Sequence, residues 1–172
     1  MFKDLNWITL LGVSNAGKTS LVNVLRNITT KTIPTQGLKN KTLRIGNWTV
    51  KFYDFGGQEK FLENWLDKEK WGWVFKKNTT QQKINIFVID PLDDRIDATL
   101  NFYKRVCQNY GIPDFIIFTK SDLIGADYQS YLSRYLDQIK NVPHYSTTIK
   151  SREDVVSVFQ DLLQKKIAEW NK

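Results

Sequence analysis

Gly12-Val13-Ser14-Asn15-Ala16-Gly17-Lys18-Thr19 decides the fold. It fits the spacing G-x-x-x-x-G-K-[ST], and its flanks suit the pattern. Residues 7–11 before it form a short apolar run that reads as a buried strand, and residues 19–25 after it have helical spacing. In such a loop the backbone N–H groups turn inward as an anion nest, and the following helix adds its positive end. Lys18 can reach the outer phosphates of a nucleotide, and Thr19 offers a hydroxyl to Mg²⁺. Ser14, Asn15, Ala16, Gly17, Lys18, Thr19 and Ser20 are therefore candidate nucleotide contacts.

Two further motifs fall where strands are expected to end. Asp54-Phe55-Gly56-Gly57-Gln58 follows the β-rich stretch 49–53. Ligands of open parallel sheets sit beyond the carboxyl ends of the strands, so Asp54 belongs beside the phosphate loop, where a carboxylate can hold Mg²⁺ through a water. Gly57 offers an unobstructed N–H to a γ-phosphate. Gln58 both donates and accepts, which suits it to orienting an attacking water. Phe118-Thr119-Lys120-Ser121-Asp122 closes the apolar run 115–118. A carboxylate at Asp122 can accept from the paired N1–H and N2–H₂ donors of guanine, which adenine lacks, so it would select GTP over ATP.

The rest of the chain frames these motifs. Residues 42–45 and 49–53 flank Gly46-Asn47, a tight-hairpin signal. Residues 84–89 are a continuous apolar run with β-branched members, as a central strand requires. Residues 97–110 read as a helix closed by Gly111 and Pro113, 128–139 as another, 142–146 as a short strand and 152–170 as an amphipathic helix. One hairpin among alternating strands and helices predicts an α/β fold, a mostly parallel six-stranded sheet with one antiparallel strand and helices on both faces. The 172 residues suit one domain, 1–172, with a single buried core.

Composition narrows the class. With 41% hydrophobic and 25% charged residues the chain is globular. No apolar run approaches the ~20 residues that span a bilayer. Neither end carries an acylation or prenylation signal, so no membrane anchor of its own is expected. A single cysteine, Cys107, fits a reducing compartment, the cytoplasm, and with a single histidine, His144, argues against zinc. The net charge of +7 comes from dispersed lysines, dense only in short patches such as Lys68-Glu69-Lys70 and Lys76-Lys77, so no nucleic-acid partner is expected.

Taken in order, the motifs resemble those of the Ras superfamily of small GTPases over nearly the whole chain. The series runs through the phosphate loop, Thr35 in Ile33-Pro34-Thr35, Asp54-Phe55-Gly56-Gly57-Gln58, Thr119-Lys120-Ser121-Asp122 and Thr148-Ile149-Lys150. The resemblance implies the P-loop NTPase fold, GTP and GDP as ligands with Mg²⁺, and slow GTP hydrolysis. It implies switch loops at residues 29–37 and from 54 to about 65, and three kinds of partner: an exchange factor, an activating protein and an effector. It gives Thr35 a place on Mg²⁺ and γ-phosphate, and gives Thr148 and Ile149 contacts at the guanine. Gly56-Gly57-Gln58, Pro34-Thr35 and Asp93-Asp94-Arg95 look most like the Arf branch, whereas residues 57–65 also look like the Rag branch. Membrane recruitment, if any, would come through partners.

This sequence departs from the family pattern at two motifs. Thr119 stands where an asparagine is usual, and Thr148-Ile149-Lys150 where Ser-Ala-Lys is usual. Residues 61–82 form a longer segment than the Arf counterpart and carry Phe61, Trp65, Trp71, Trp73 and Phe75. They read either as a lengthened helix with its tryptophans tucked on the sheet or as a nucleotide-sensitive interface. No arginine occurs in residues 29–37, which suggests one supplied by a partner. Two other functions stand against the switch: a scaffold holding nucleotide without cycling, and an ATP-using phosphotransferase. Thr35 and Gln58 argue against the first, and Asp122 against the second.

Overall fold

A computed structural model gives the structure, and it describes residues 5–29, 32–75, 82–123, 125–139 and 141–172. Lys31, the Lys76-Lys77 pair and residues 1–4 lie outside them. Six strands, β1 (Leu5–Leu11), β2 (Leu38–Ile45), β3 (Trp48–Phe55), β4 (Lys83–Ile89), β5 (Phe115–Phe118) and β6 (His144–Ser146), form one sheet in the order β2-β3-β1-β4-β5-β6. Only the β2–β3 hairpin is antiparallel; the other pairings are parallel. This is the P-loop NTPase architecture that the motif order predicts.

The alternation of side chains along each strand builds two cores. Ile84, Ile86 and Val88 of β4, with Phe115 and Ile117 of β5, join α1 (Lys18–Leu25) and α6 (Arg152–Trp170) on one face. Phe87 and Ile89, with Ile116 and Phe118, join α2 (Glu59–Trp65), α3 (Lys68–Phe75), α4 (Ile96–Tyr110) and α5 (Tyr128–Leu136) on the other. All seven residues of β4 are buried, so its pattern is continuous rather than alternating. Connections from β1 and β4 leave to opposite sides of the sheet, and the crevice opens at the carboxyl ends of these neighbouring strands.

Several bounds differ from the sequence reading, each for a physical reason. β2 begins four residues before the expected start at 42, because Leu38–Ile45 is an edge strand with little buried surface and so lacks an apolar signature. The expected helix 128–139 ends at Leu136, and Ile139 is buried beyond it in a turn whose N–H donates to Tyr135 O at 3.1 Å. The lengthened helix after the second switch is two helices. Asp67 makes the break: its carboxylate accepts from the N–H groups of Glu69 and Lys70, at 3.0 and 3.2 Å, and starts α3 afresh.

Much of the aromatic segment packs on the sheet, as the first of its two readings expects. Trp65 and Phe75 are core, whereas Trp73 is 53% exposed. Phe55 binds the segment to the sheet, with Trp65 and Trp71 edge-on to it at 5.0 and 5.7 Å. His144 is exposed with Phe118 edge-on to its ring, and Cys107 is half-buried. Neither belongs to a group of metal-binding side chains among the described residues.

Candidate nucleotide site

The phosphate loop occupies the turn between β1 and α1. Its path needs left-handed backbone at Asn15, φ 63°, and at Gly17, φ 97°. Such geometry lets successive N–H groups converge on an anion. Lys18 is buried, and its ammonium donates to Gly12 O and Val13 O at 2.8 Å each. Burial pulls its pKa down from 10.5 to about 8, and the Asp54 charge offsets part of that fall.

Beside the loop, three elements converge on one carboxylate. Asp54 lies in β3, directly across from Leu10 of β1. Its Oδ2 accepts from Thr19 Oγ1 of α1 at 2.5 Å and from Thr35 Oγ1 of the first switch at 3.0 Å, and the two hydroxyl oxygens stand 2.8 Å apart. Asp54 Oδ1 is buried with no hydrogen-bond partner among the described residues. A buried carboxylate oxygen left unpaired is costly, and a hydrated divalent cation satisfies it. Two hydroxyls and a carboxylate are hard oxygen donors, too few to cage Mg²⁺ alone, as suits a cation that also takes phosphate oxygens and waters. The residues present therefore fit the metal.

Both switches are packed tightly here. A Cβ at Gly56 would stand 2.5 Å from Thr35 O, and the Gly56 N–H donates to Gly37 O at 2.9 Å. A Cβ at Gly57 would stand 2.3 Å from Val13 C and 2.5 Å from Ser14 N, so only glycine brings the second switch onto the phosphate loop. Around these contacts opens a cleft of about 390 Å³. Ser14, Asn15, Gly17, Lys18, Thr19, Ser20, Thr35, Gly57, Gln58, Thr119, Lys120 and Ile149 line it. Ala16 is buried behind the loop. Thr32, Ile33 and Pro34 also line the cleft. Sequence reasoning placed these three in the first switch loop but did not name them as site residues, because their types carry no chemical signal and only their place beside Thr35 does.

The residues that the sequence reading assigned to the base are held by one another and by the phosphate loop. Thr119 is buried, and its Oγ1 donates to Ala16 O at 2.9 Å, so this side chain braces the phosphate loop. Lys120, left-handed at φ 59°, pairs with the buried carboxylate of Asp90. Asp122 lies apart from the cleft lining. Its Oδ1 accepts from Thr148 Oγ1 at 2.6 Å and its Oδ2 pairs with Lys150 Nζ at 2.7 Å. Those bonds, that of Lys150 foremost, hold its pKa below the usual carboxylate range. Asp90 was missed by sequence reasoning, since an acid directly after a central strand has several ordinary explanations.

The model of the Arf, or ADP-ribosylation factor, family matches residues 3–165. The chain belongs to this family. It is an Arf-like small GTPase of the Ras superfamily, and the match falls on one of the two branches that the motifs resemble. The human ADP-ribosylation factor-like protein 4A is 31% identical over 126 residues, which is 67% of this chain and 58% of that relative. The structure of the Arl6 BBS3 small GTPase from Trypanosoma brucei with a bound nucleotide analogue, GppNp, superposes with a TM-score of 0.70. It covers 96% of this chain and 99% of that one at 19% identity, a likeness of fold. Among the described residues of this Arf-family chain, no helix is long and apolar enough to cross a membrane.

Proposed function

We propose that this Arf-family chain, as a single domain, binds GTP with Mg²⁺, hydrolyses it slowly, and offers partners a different surface with GTP than with GDP. The observation that carries the proposal is the meeting of Thr19 and Thr35 on Asp54, whose second oxygen is buried and unpaired. A first-switch threonine on the carboxylate of β3 couples a mobile element to the state of the phosphates. A scaffold that held nucleotide passively would need no such coupling.

In this mechanism the phosphate loop and Lys18 bind the phosphate chain, and Thr19, Thr35 and Asp54 would hold Mg²⁺. When bound there, Mg²⁺ would supply positive charge against that developing on the phosphate oxygens. Gly57 donates its N–H toward the terminal phosphate, and Gln58, at the start of α2, orients the attacking water. Lys18 stabilises charge on the group being transferred. Asp122 accepts from guanine once Lys150 gives way, with Thr148 keeping one carboxylate oxygen fixed, and the Ile149 N–H meets the guanine oxygen. Thr119 holds the loop to which the phosphates bind rather than touching the base.

Intrinsic turnover on the order of 10⁻⁴ to 10⁻² s⁻¹ is expected, because no switch residue here brings an arginine to the terminal phosphate. An activating protein would supply one. An exchange factor and an effector complete the cycle, and nucleic acid has no part in it. The direct test is to identify the nucleotide released from purified protein and to time its turnover with and without Mg²⁺. Guanine nucleotide that leaves faster in EDTA, with turnover only in Mg²⁺, is the expected result. Adenine nucleotide, or release indifferent to EDTA, refutes it.

A further inference from the structure

Arg95 stands immediately before α4, outside the phosphate-binding motifs, yet its guanidinium reaches the phosphate loop. Nη2 donates to Ser14 O at 2.9 Å, joining groups 81 positions apart in the chain. The group is held in place for this contact. Nε donates to Asp93 Oδ1 at 2.9 Å and Nη2 to Asp93 Oδ2 at 2.6 Å, a side-on bidentate pair. The Arg95 N–H donates to Asp93 Oδ1 as well, at 2.9 Å. The Asp93 side chain is only 7% exposed, so the carboxylate is a fixed anchor. Glu59, next to Gln58, adds a further negative charge close enough to act on the guanidinium.

Ser14 is also the residue against which Gly57 is packed. Its two peptide units are therefore gripped by two elements, by the second switch at the N–H and by Arg95 at the carbonyl. The held carbonyl fixes the plane of the peptide that leads into Asn15, whose backbone is left-handed without being glycine. An anion nest works only if its N–H groups keep their directions before the ligand arrives. Ser14, Gly57 and Gln58 line the same cleft.

We infer that Arg95 is a positioning residue for the terminal-phosphate end of the site: by fixing the Ser14 carbonyl it preorganises the loop for a triphosphate over a diphosphate. This rests on the guanine-nucleotide function proposed above. Gly57, which the proposed mechanism aims at the terminal phosphate, packs against the same residue whose carbonyl Arg95 holds, so the effect falls on the γ-phosphate.

The test measures the dissociation constants of GDP and of the non-hydrolysable analogue GppNp, both with Mg²⁺, for the wild type, Arg95→Ala, Arg95→Lys and Asp93→Asn. The exposed Arg95–Ser14 bond acts on the phosphate only through the loop, so part of its worth reaches the ligand: Arg95→Ala weakens GppNp about five- to tenfold and leaves GDP within about twofold. Single-turnover GTP hydrolysis falls by a similar factor. Lysine cannot keep the side-on pair and reach Ser14 together, so Arg95→Lys restores only part of the preference. Asp93→Asn, which keeps the size of the anchor and loses its charge, shifts the GppNp-to-GDP ratio in the same direction. Equal weakening of both nucleotides, or an unchanged ratio in all three variants, overturns the inference. A wild type that binds neither nucleotide brings down the proposed function itself, and this inference with it.

Discussion

Raising the pH should stabilise protein stripped of nucleotide and weaken its hold on a triphosphate, and both effects come from Lys18. The fall of its pKa from 10.5 to about 8 is caused by burial. At roughly 1.4 kcal/mol per pKa unit, the shift corresponds to a penalty of about 3 kcal/mol on the charged form in the fold. Below about pH 8 the folded and unfolded chains both hold the proton, and the penalty is present in full. Between about pH 8 and 10.5 the folded chain has released a proton that the unfolded chain keeps, so stability rises with pH by up to about 3 kcal/mol. Phosphate oxygens reverse the shift by pairing with the ammonium. Binding above pH 8 must therefore take up a proton, and triphosphate affinity should drop about tenfold per pH unit there. Urea denaturation of stripped wild type and of Lys18→Met, from pH 7 to 10.5, isolates the effect, because the other titrating groups cancel in the difference. The difference should move in favour of the wild type by about 3 kcal/mol as pH rises. A difference that stays flat would refute the burial argument.

Asp122→Ala should remove most of the preference for GTP over ATP, since hydrogen bonds to a charged group are worth roughly 1.5–3 kcal/mol each; competition between labelled nucleotides checks it. Thr119→Val keeps the shape of the side chain and deletes its bond to Ala16 O. It should cost about 1 kcal/mol in thermal stability and speed the release of both GDP and GTP alike, which stopped-flow dissociation reads. Gln58→Leu should slow single-turnover GTP hydrolysis while leaving GTP affinity within a few fold, because Gln58 acts on the attacking water and not on the bound ground state; unchanged hydrolysis would remove it from the mechanism.

Much of the site was legible because its chemistry fixes both residue type and spacing. The phosphate loop announced itself through Gly12, Gly17, Lys18 and Thr19, and strand-end placement brought Asp54 to it from 35 residues beyond Thr19. The fold followed from the same motifs and from the unbroken apolar run of β4. The hidden parts depend on contacts between residues of ordinary type. Nothing in the sequence joins Arg95 to Ser14, since a charged residue before a helix has many uses on a protein surface. Thr119 read as a departure from the usual asparagine, and its bond to the Ala16 carbonyl had no signal in the sequence. Edge strand β2 escaped over its first four residues because exposed strands carry no burial pattern. The break between α2 and α3 rests on one carboxylate, Asp67, among residues that otherwise favour helix.

The central claim is that Thr35 and Gly57 sense the terminal phosphate and carry its presence to the two switches. Hydrogen–deuterium exchange on this chain, loaded with Mg²⁺ and either GDP or GppNp, measures that directly. With GppNp the account predicts slower exchange at residues 32–37 and 54–65, and little change in β4, β5 and α6, whose burial does not depend on the ligand. Equal exchange of the two switch segments in both nucleotide states would contradict it.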